Sequence, residues 1–253
     1  MTHEETKEYV KKRYASIAEN EGSCCPSCSC GESMDYLEIG KRIGYSEDDL
    51  RNVPDAANMG LGCGNPVALA SLKEGETVLD LGSGGGIDVF LAAKKVGPKG
   101  RVIGVDMTEA MIERAASNMA KQGYQNVEFR LGEIEKLPVN DELIDAIVSN
   151  CVINLSTDKD QVFREAYRVL KHGGRLMVSD IVTEGELSEE VRKNFDAWAS
   201  CIGGALEKHQ YLESIRKAGF ENIRIVSEST YDIDVSKELE GKITSVHVEA
   251  HKK

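Results

Sequence analysis

The sequence contains no long apolar segment and no excess of positive charge. No run of about 18 apolar residues occurs, and residues 1–5 are largely polar or acidic, so we expect neither a membrane span nor a secretory signal. The 31 basic residues are outnumbered by 43 acidic ones, which gives a net charge of −12 and argues against nucleic-acid binding. We therefore expect a cytoplasmic protein whose partners are neither membranes nor nucleic acids.

The segment from Thr77 to Gly86 reads TVLDLGSGGG, and it lacks the marks of two common nucleotide-binding motifs. A phosphate loop needs Gly-Lys-Ser/Thr after the glycines, but Ile87 and Asp88 follow instead. A dinucleotide fingerprint needs Gly or Ala at the sixth position counted from Gly82, where this chain has Ile87. What remains is a carboxylate followed by Gly-x-Gly-x-Gly. Such a bare backbone lets a ligand reach the N–H groups that begin the next helix.

Predicted strands and helices alternate regularly from residue 77 onwards. Strands are predicted over 77–81, 101–105, 127–131, 144–149 and 174–180, with helices over about 86–95, 109–122, 158–171 and 188–200. This alternation predicts an α/β fold with a doubly wound, mostly parallel sheet. We also predict a helix over 6–20, a helix over 209–218, and strands over 221–228 and 243–250. We divide the chain into an N-terminal cap with a cysteine-rich loop (1–70), a cofactor-binding domain (71–182) and a C-terminal extension (183–253).

The cofactor is indicated by Asp106, the acid that ends the strand after the glycine turn. A carboxylate at this place can accept hydrogen bonds from both ribose hydroxyls of an adenosine. Together with residues 80–86, 132–138 (GEIEKLP) and 143–150, it resembles the class I S-adenosylmethionine-dependent methyltransferases. The resemblance implies their Rossmann-like fold and S-adenosylmethionine as cofactor. The residues that it assigns to the cofactor are Asp80, Gly82, Ser83, Gly84, Asp106, Met107, Glu133, Ile134, Glu135 and Asn150.

The seven cysteines are an odd number in a chain of 253 residues. Without a secretory signal, cysteines more often bind metals, catalyse or react in redox chemistry than form a disulfide scaffold. Cys63 lies in a glycine-rich loop, Cys151 follows the fourth strand, and Cys201 lies in the region after the fifth. Each of the three is also compatible with a small buried hydrophobe, because free cysteine is among the most buried residue types.

Four segments that include these cysteines resemble the arsenite methyltransferases. They are residues 60–66 (GLGCGNP), 149–155 (SNCVINL), 165–174 (EAYRVLKHGG) and 198–206 (WASCIGGAL). The resemblance implies that Cys63, Cys151 and Cys201 hold arsenite, free or as a thiol conjugate, and that the products are methylated arsenicals formed in detoxification. Trivalent arsenic is soft and thiophilic, and its lone pair can attack a methyl group without a base, so positioning supplies most of the catalysis. Methylation formally oxidises arsenic, which implies a thiol reductant, glutathione or thioredoxin, as co-substrate.

Four further cysteines lie close together in residues 24–30 (CCPSCSC), and three interpretations stay open. In the first interpretation they bind zinc: they supply half of a zinc ligand set but lack a second pair at zinc-finger spacing. In a redox relay, for which Cys28 and Cys30 are the candidates, they would exchange disulfides with an arsenic-site cysteine. In the third interpretation, the four cysteines are incidental thiols of a flexible tail. For the whole chain, the alternatives are a quinone- or sterol-type C- or O-methyltransferase and an arsenic-binding protein without enzymatic activity.

Overall fold

A seven-stranded sheet forms the centre of the structure, which is a computed structural model. It describes residues 2–19, 41, 45–51, 53–62, 69, 71–230, 239 and 241–253. The strands are β1 (Thr77–Leu81), β2 (Arg101–Asp106), β3 (Val127–Leu131), β4 (Ile144–Asn150), β5 (Leu170–Thr183), β6 (Glu221–Thr230) and β7 (Ile243–His251). The helices are α1 (His3–Glu19), α2 (Glu47–Arg51), α3 (Ile87–Val96), α4 (Glu109–Gln122), α5 (Lys159–Val169), α6 (Glu189–Arg192), α7 (Phe195–Ala199) and α8 (Lys208–Lys217).

The strands follow the order β3-β2-β1-β4-β5-β7-β6. Strands β3, β2, β1, β4 and β5 are parallel, and β7 runs antiparallel between β5 and β6. The predicted Rossmann-like, mostly parallel α/β fold is therefore confirmed. The order reverses between β1 and β4, and ligands of doubly wound sheets bind at the carboxyl ends of the strands beside this switch point.

Helices cover both faces of the sheet because successive residues of each strand point to opposite sides. On one face, Leu79 and Leu81 of β1 pack in a cluster that includes Phe163 of α5 and Tyr211 of α8. On the other face, Val78, the residue before Leu79, packs in a cluster with residues of α3. All five of these strand and helix side chains are buried. Burial on both faces explains the mostly apolar sequences of the inner strands β1, β2 and β4.

Two helices differ from the prediction. The helix predicted over 158–171 ends at Val169, and the chain enters β5 at the next residue. The helix predicted over 188–200 is broken into α6 and α7, because Asn194 begins a new helix: its Oδ1 accepts a hydrogen bond (2.9 Å) from the backbone N–H three residues on. The break places Cys201 in the turn that follows α7 rather than beyond one long helix.

The N-terminal helix α1 packs against α4 and α7, outside the sheet. It agrees with the helix predicted over 6–20 and begins three residues earlier. The predicted strands over 221–228 and 243–250 are confirmed as β6 and β7, which extend the central sheet. Within the described part of the chain, no helix combines the length and the apolar character needed to cross a membrane.

Candidate functional site

A cavity opens at the carboxyl ends of β1, β2 and β4, beside the switch point of the sheet. It encloses about 1150 Å³, including the space at its open mouth. Its wall is formed by the glycine turn after β1, by the ends of β2 and β4, by α1, and by the turn after α7. The lining residues from these elements include Lys7, Tyr14, Gly82, Gly84, Asp106, Asn150, Cys151 and Cys201.

The glycine turn after β1 has two glycines with different roles. Gly82 and Gly84 both have positive φ angles, +67° and +50°. A Cβ atom at Gly82 would lie 2.2 Å from Cγ2 of Val152, so only glycine fits this packing. A Cβ atom at Gly84 would meet no atom within 4 Å, so this residue leaves open space in the cavity wall. Close approach of a ligand to the backbone is therefore possible at Gly84.

Asp106 joins the end of β2 to the glycine turn. Its Oδ2 accepts a hydrogen bond from the Gly84 N–H (3.0 Å), and its Oδ1 accepts one from the Thr108 N–H (2.9 Å). Burial raises the pKa of Asp106, while these backbone hydrogen bonds act in the opposite direction. Two backbone groups thus hold the carboxylate in a fixed position beside the open space at Gly84.

Two more carboxylates, Asp80 and Asp88, line the same cavity and are both 3% exposed. Burial, followed by repulsion from Asp88 and Asp106, raises the pKa of Asp80 well above its ordinary value. A cationic ligand would offset this repulsion between buried acids. The cofactor expected from the sequence carries a sulfonium and an ammonium group, and both the charge of this wall and the space at Gly84 fit such a molecule.

A hydrogen-bond network connects α3 to the end of β4. The Tyr45 hydroxyl donates to Oδ1 of Asp88 (2.6 Å), and Nδ2 of Asn150 donates both to the Tyr45 oxygen (3.1 Å) and to Oδ2 of Asp88 (3.2 Å). A Cβ atom at Gly62 would lie 2.6 Å from Oδ1 of Asn150. The backbone just before Cys63 therefore approaches the side chain just before Cys151.

Cys151 and Cys201 lie in one part of the cavity wall, and both are nearly fully buried. The Cys201 thiol donates a hydrogen bond to the Cys151 carbonyl oxygen (2.8 Å). Both cysteines have positive φ angles, +57° and +62°, a conformation that costs a non-glycine residue roughly 1–2 kcal/mol. Such strain is concentrated at functional sites in proteins. Cys151 is disulfide-bonded, and Cys201 is a free thiol.

Buried ionisable groups surround the Cys201 thiol. Burial, and after it the Asp180 carboxylate, raise the pKa of Cys201, whereas the nearby Tyr14 hydroxyl and the charge of Lys159 lower it. Burial lowers the pKa of Lys159 to about 8 and raises that of Asp180 to about 7. The Tyr211 hydroxyl donates to Oδ2 of Asp180 (3.0 Å), which opposes the effect of burial. At neutral pH the Cys201 thiol is therefore protonated.

The chain is similar to known methyltransferases over most of its length. Residues 72–219 match the family model described as a methyltransferase domain. Over 98% of its length, the chain is 45% identical to the arsenite methyltransferase of Halobacterium salinarum, and it covers 67% of that protein. The chain belongs to the arsenite methyltransferase family.

Two further relatives extend this comparison. The arsenite methyltransferase of Homo sapiens is 45% identical over 78% of this chain, which spans 54% of the human protein. The crystal structure of an arsenic (III) S-adenosylmethionine methyltransferase from Chlamydomonas reinhardtii superposes with a TM-score of 0.68 at 34% identity, covering 85% of this chain and 73% of that one. The chain thus spans about half to three quarters of the length of these relatives.

The structure brings most of the predicted site residues of this methyltransferase to the one cavity. Those that line it are Asp80, Gly82, Ser83, Gly84, Asp106, Met107, Ile134, Glu135, Asn150, Cys151 and Cys201. Glu133 lies outside this wall; its carboxylate is 53% exposed and pairs with the Lys7 ammonium (2.7 Å). Cys28, Cys30 and Cys63 lie outside the described residues, so their roles stay predictions.

Several lining residues were missed by the sequence analysis. Asp88 follows the glycine turn by two residues, and an acid in the first turn of the next helix is a local signal that was available. Lys7, Tyr14 and Tyr45 carry no such signal. Lys7 lies 126 residues from its partner Glu133 along the chain, so only tertiary packing brings the pair together.

Proposed function

We propose that this methyltransferase transfers the methyl group of S-adenosylmethionine to trivalent arsenic bound by cysteine thiolates, producing methylated arsenicals. One observation carries the proposal: all of the predicted cofactor residues except Glu133, and two of the three predicted arsenic ligands, line a single cavity. Cys151 and Cys201 are 50 residues apart along the chain, and the hydrogen bond between them (2.8 Å) joins their loops at the cavity wall. Membership of the arsenite methyltransferase family supports the choice of substrate.

The glycine turn and the three carboxylates are the proposed cofactor-binding elements. We infer that Gly82, Ser83 and Gly84 lie against the methionine part and that Asp106 accepts hydrogen bonds from the ribose. Met107, Ile134 and Glu135 would contact the adenine, and Asn150 would complete the wall. When bound, S-adenosylmethionine supplies an electrophilic methyl group on a sulfonium. The bound cation would in turn lower the raised pKa values of Asp80 and Asp106 and favour their charged forms in this buried site.

The buried thiols suit a ligand exchange at arsenic. Arsenite carries hydroxide ligands, and each thiol that binds replaces one As–O bond by an As–S bond while its proton leaves in a water molecule. Burial keeps the Cys201 thiol protonated, so the proton needed by the departing hydroxide is carried by the incoming ligand. Cys63 is the proposed third ligand, because Gly62, which directly precedes it, lines the same cavity.

A thiol reductant is the proposed co-substrate. Cys151 is disulfide-bonded, so this residue must be reduced before its sulfur can bind arsenic. Two thiols of glutathione or thioredoxin would supply the two electrons and would leave as a disulfide. Cys28 and Cys30 are the proposed relay cysteines of the N-terminal cap, and a cytoplasmic location, where such reductants are held reduced, stays a prediction.

A labelled-methyl assay tests the proposal. The purified chain is incubated with methyl-labelled S-adenosylmethionine, arsenite and a thiol reductant, and arsenic species are separated by chromatography. Labelled methylarsenicals should form with the parent protein and with Ser200→Ala, an exposed neighbour, but at least about tenfold more slowly with Cys201→Ser. Arsenite binding without labelled product would favour a binding protein. In a parallel incubation with a quinone or a sterol in place of arsenite, label transfer to that compound alone would favour the other methyltransferase type.

A further inference from the structure

Helix α1 is held against α7 by an aromatic stack and two polar contacts. The ring of Tyr9 stacks on that of Phe195 with centroids 5.0 Å apart. The Tyr9 hydroxyl donates to Oδ1 of Asp196 (2.8 Å), and the Arg13 guanidinium pairs with the same oxygen (2.8 Å). These contacts fix the register of α1 on the short helix that ends just before Cys201.

Tyr14 continues this contact into the cavity. Its ring is half-buried and packs in a cluster with Met59 and Met111, and the side chain lines the cavity. Its hydroxyl donates a hydrogen bond to the carbonyl oxygen of Ala199 (3.3 Å), the last residue of α7. Carbonyl groups at the end of a helix have no partner within the helix, so a side chain from outside can satisfy them.

The turn that contains Cys201 needs such support. The Cys201 N–H donates to the Trp198 carbonyl (2.9 Å), and the Ile202 N–H donates to the Ala197 carbonyl (2.9 Å). Within this turn, Cys201 has the left-handed φ of +62°. A strained residue keeps such a conformation only when the surrounding structure holds it. The Tyr14 hydroxyl binds the carbonyl oxygen two residues before Cys201 and so holds this turn from α1.

The same face of α1 also reaches the cofactor side of the cavity. Lys7 lies seven residues before Tyr14, so both side chains project from one face of the helix. The Lys7 ammonium pairs with Glu133 (2.7 Å) and Glu135 (3.6 Å), the residues predicted beside the adenine. One helix therefore contacts both the proposed cofactor wall and the proposed arsenic wall.

We propose that Tyr14 is a positioning residue of the arsenic site, whose hydroxyl fixes the turn that presents the Cys201 thiol to the substrate. The proposal rests on the proposed function, since it assigns Tyr14 a role in arsenic binding. In the absence of the hydroxyl, the turn has more freedom, and arsenic must order it on binding. The cost should therefore appear in the affinity for arsenite rather than in the affinity for the cofactor.

Tyr14→Phe tests this, because it removes the hydroxyl and keeps the ring. Trp198 is the single tryptophan of the chain and lies three residues before Cys201, so its fluorescence can report arsenite binding to the reduced protein. We expect arsenite to bind about fivefold more weakly, the loss typical of one neutral hydrogen bond, with KM for arsenite raised to match. The Kd of S-adenosylhomocysteine should stay within about twofold.

Tyr9→Phe is the matched control, since it deletes a hydroxyl that contacts α7 at Asp196 outside the cavity. Its arsenite affinity should equal that of the parent, and melting temperatures check that both variants fold. The proposal is overturned if Tyr14→Phe binds arsenite like Tyr9→Phe, or if it loses affinity for S-adenosylhomocysteine instead. A parent protein that binds arsenite without methylating it would refute the proposed function alone, because the binding comparison needs no turnover.

Discussion

Gly84 is the residue at which cofactor binding and folding stability can be separated. Its φ is +50°, and an added Cβ atom would meet no protein atom within 4 Å. In Gly84→Ala, the left-handed backbone should lower the free energy of unfolding by about 1–2 kcal/mol. The new methyl group would occupy the open space where the cofactor approaches the backbone. Loss of one or two hydrogen bonds to the loop, at about 1 kcal/mol each, should raise the Kd for S-adenosylmethionine at least about fivefold.

Gly123→Ala provides the matched control. Gly123 has a φ of +70°, also has no atom within 4 Å of the added Cβ, and ends α4 away from the cavity wall. Thermal unfolding should show a similar loss for both variants, about 2–4 °C for each kcal/mol. Titration calorimetry should show weakened S-adenosylmethionine binding only for Gly84→Ala. Unchanged binding by Gly84→Ala, or equal weakening by the control, would refute the assignment of this turn to the cofactor.

Three further changes address the carboxylates and the turn after α7. In Asp106→Asn, loss of the charged acceptor should raise the Kd for S-adenosylmethionine about 10- to 100-fold by calorimetry, and a smaller than twofold change would contradict the ribose assignment. In Gly204→Ala, a Cβ atom 2.1 Å from the Asn154 carbonyl oxygen should cost about 1–3 kcal/mol in urea unfolding, and an unchanged stability would contradict this packing. Burial raises the pKa of Asp180 to about 7, so the folded state binds the Asp180 proton more tightly than the unfolded state does. This proton binding stabilises the folded state below about pH 4, and the stabilisation is lost as the pH rises from about 4 to 7. Asp180→Asn should therefore show a smaller fall in melting temperature over that pH range, and an unchanged fall would contradict this origin.

Local sequence patterns were sufficient for the sheet and for most strand bounds, although β5 begins four residues before and ends three residues after the strand predicted over 174–180. The run from Thr77 to Gly86 predicts a buried strand and a ligand-accepting turn from neighbouring residues alone, and Asp106 is recognised by its place after the next strand. The break between α6 and α7 was also readable, because Asn194 is a good helix N-cap. It was overlooked because the surrounding apolar spacing continues as if for one helix.

The rest of the site depends on contacts between distant segments. Tyr14 lies 185 residues before its partner Ala199, and no periodicity or spacing in the chain reports that pairing. Asp88 looks like an ordinary acid in the first turn of a helix, where it would normally be exposed. Asp88 is buried because three separate segments pack together around it. The same packing forms the hydrogen bonds that Asp88 accepts from Tyr45 and Asn150.

The most direct test of the central claim is a crystal structure of the reduced protein with S-adenosylhomocysteine and arsenite. The claim is that one cavity brings the methyl donor and thiolate-bound arsenic together. We predict the nucleoside on Asp106 with its sulfur over the glycine turn, and arsenic bonded to the sulfur atoms of Cys151 and Cys201 in the same cavity. Arsenic bound at other cysteines, or a nucleoside outside this cavity, would contradict the account.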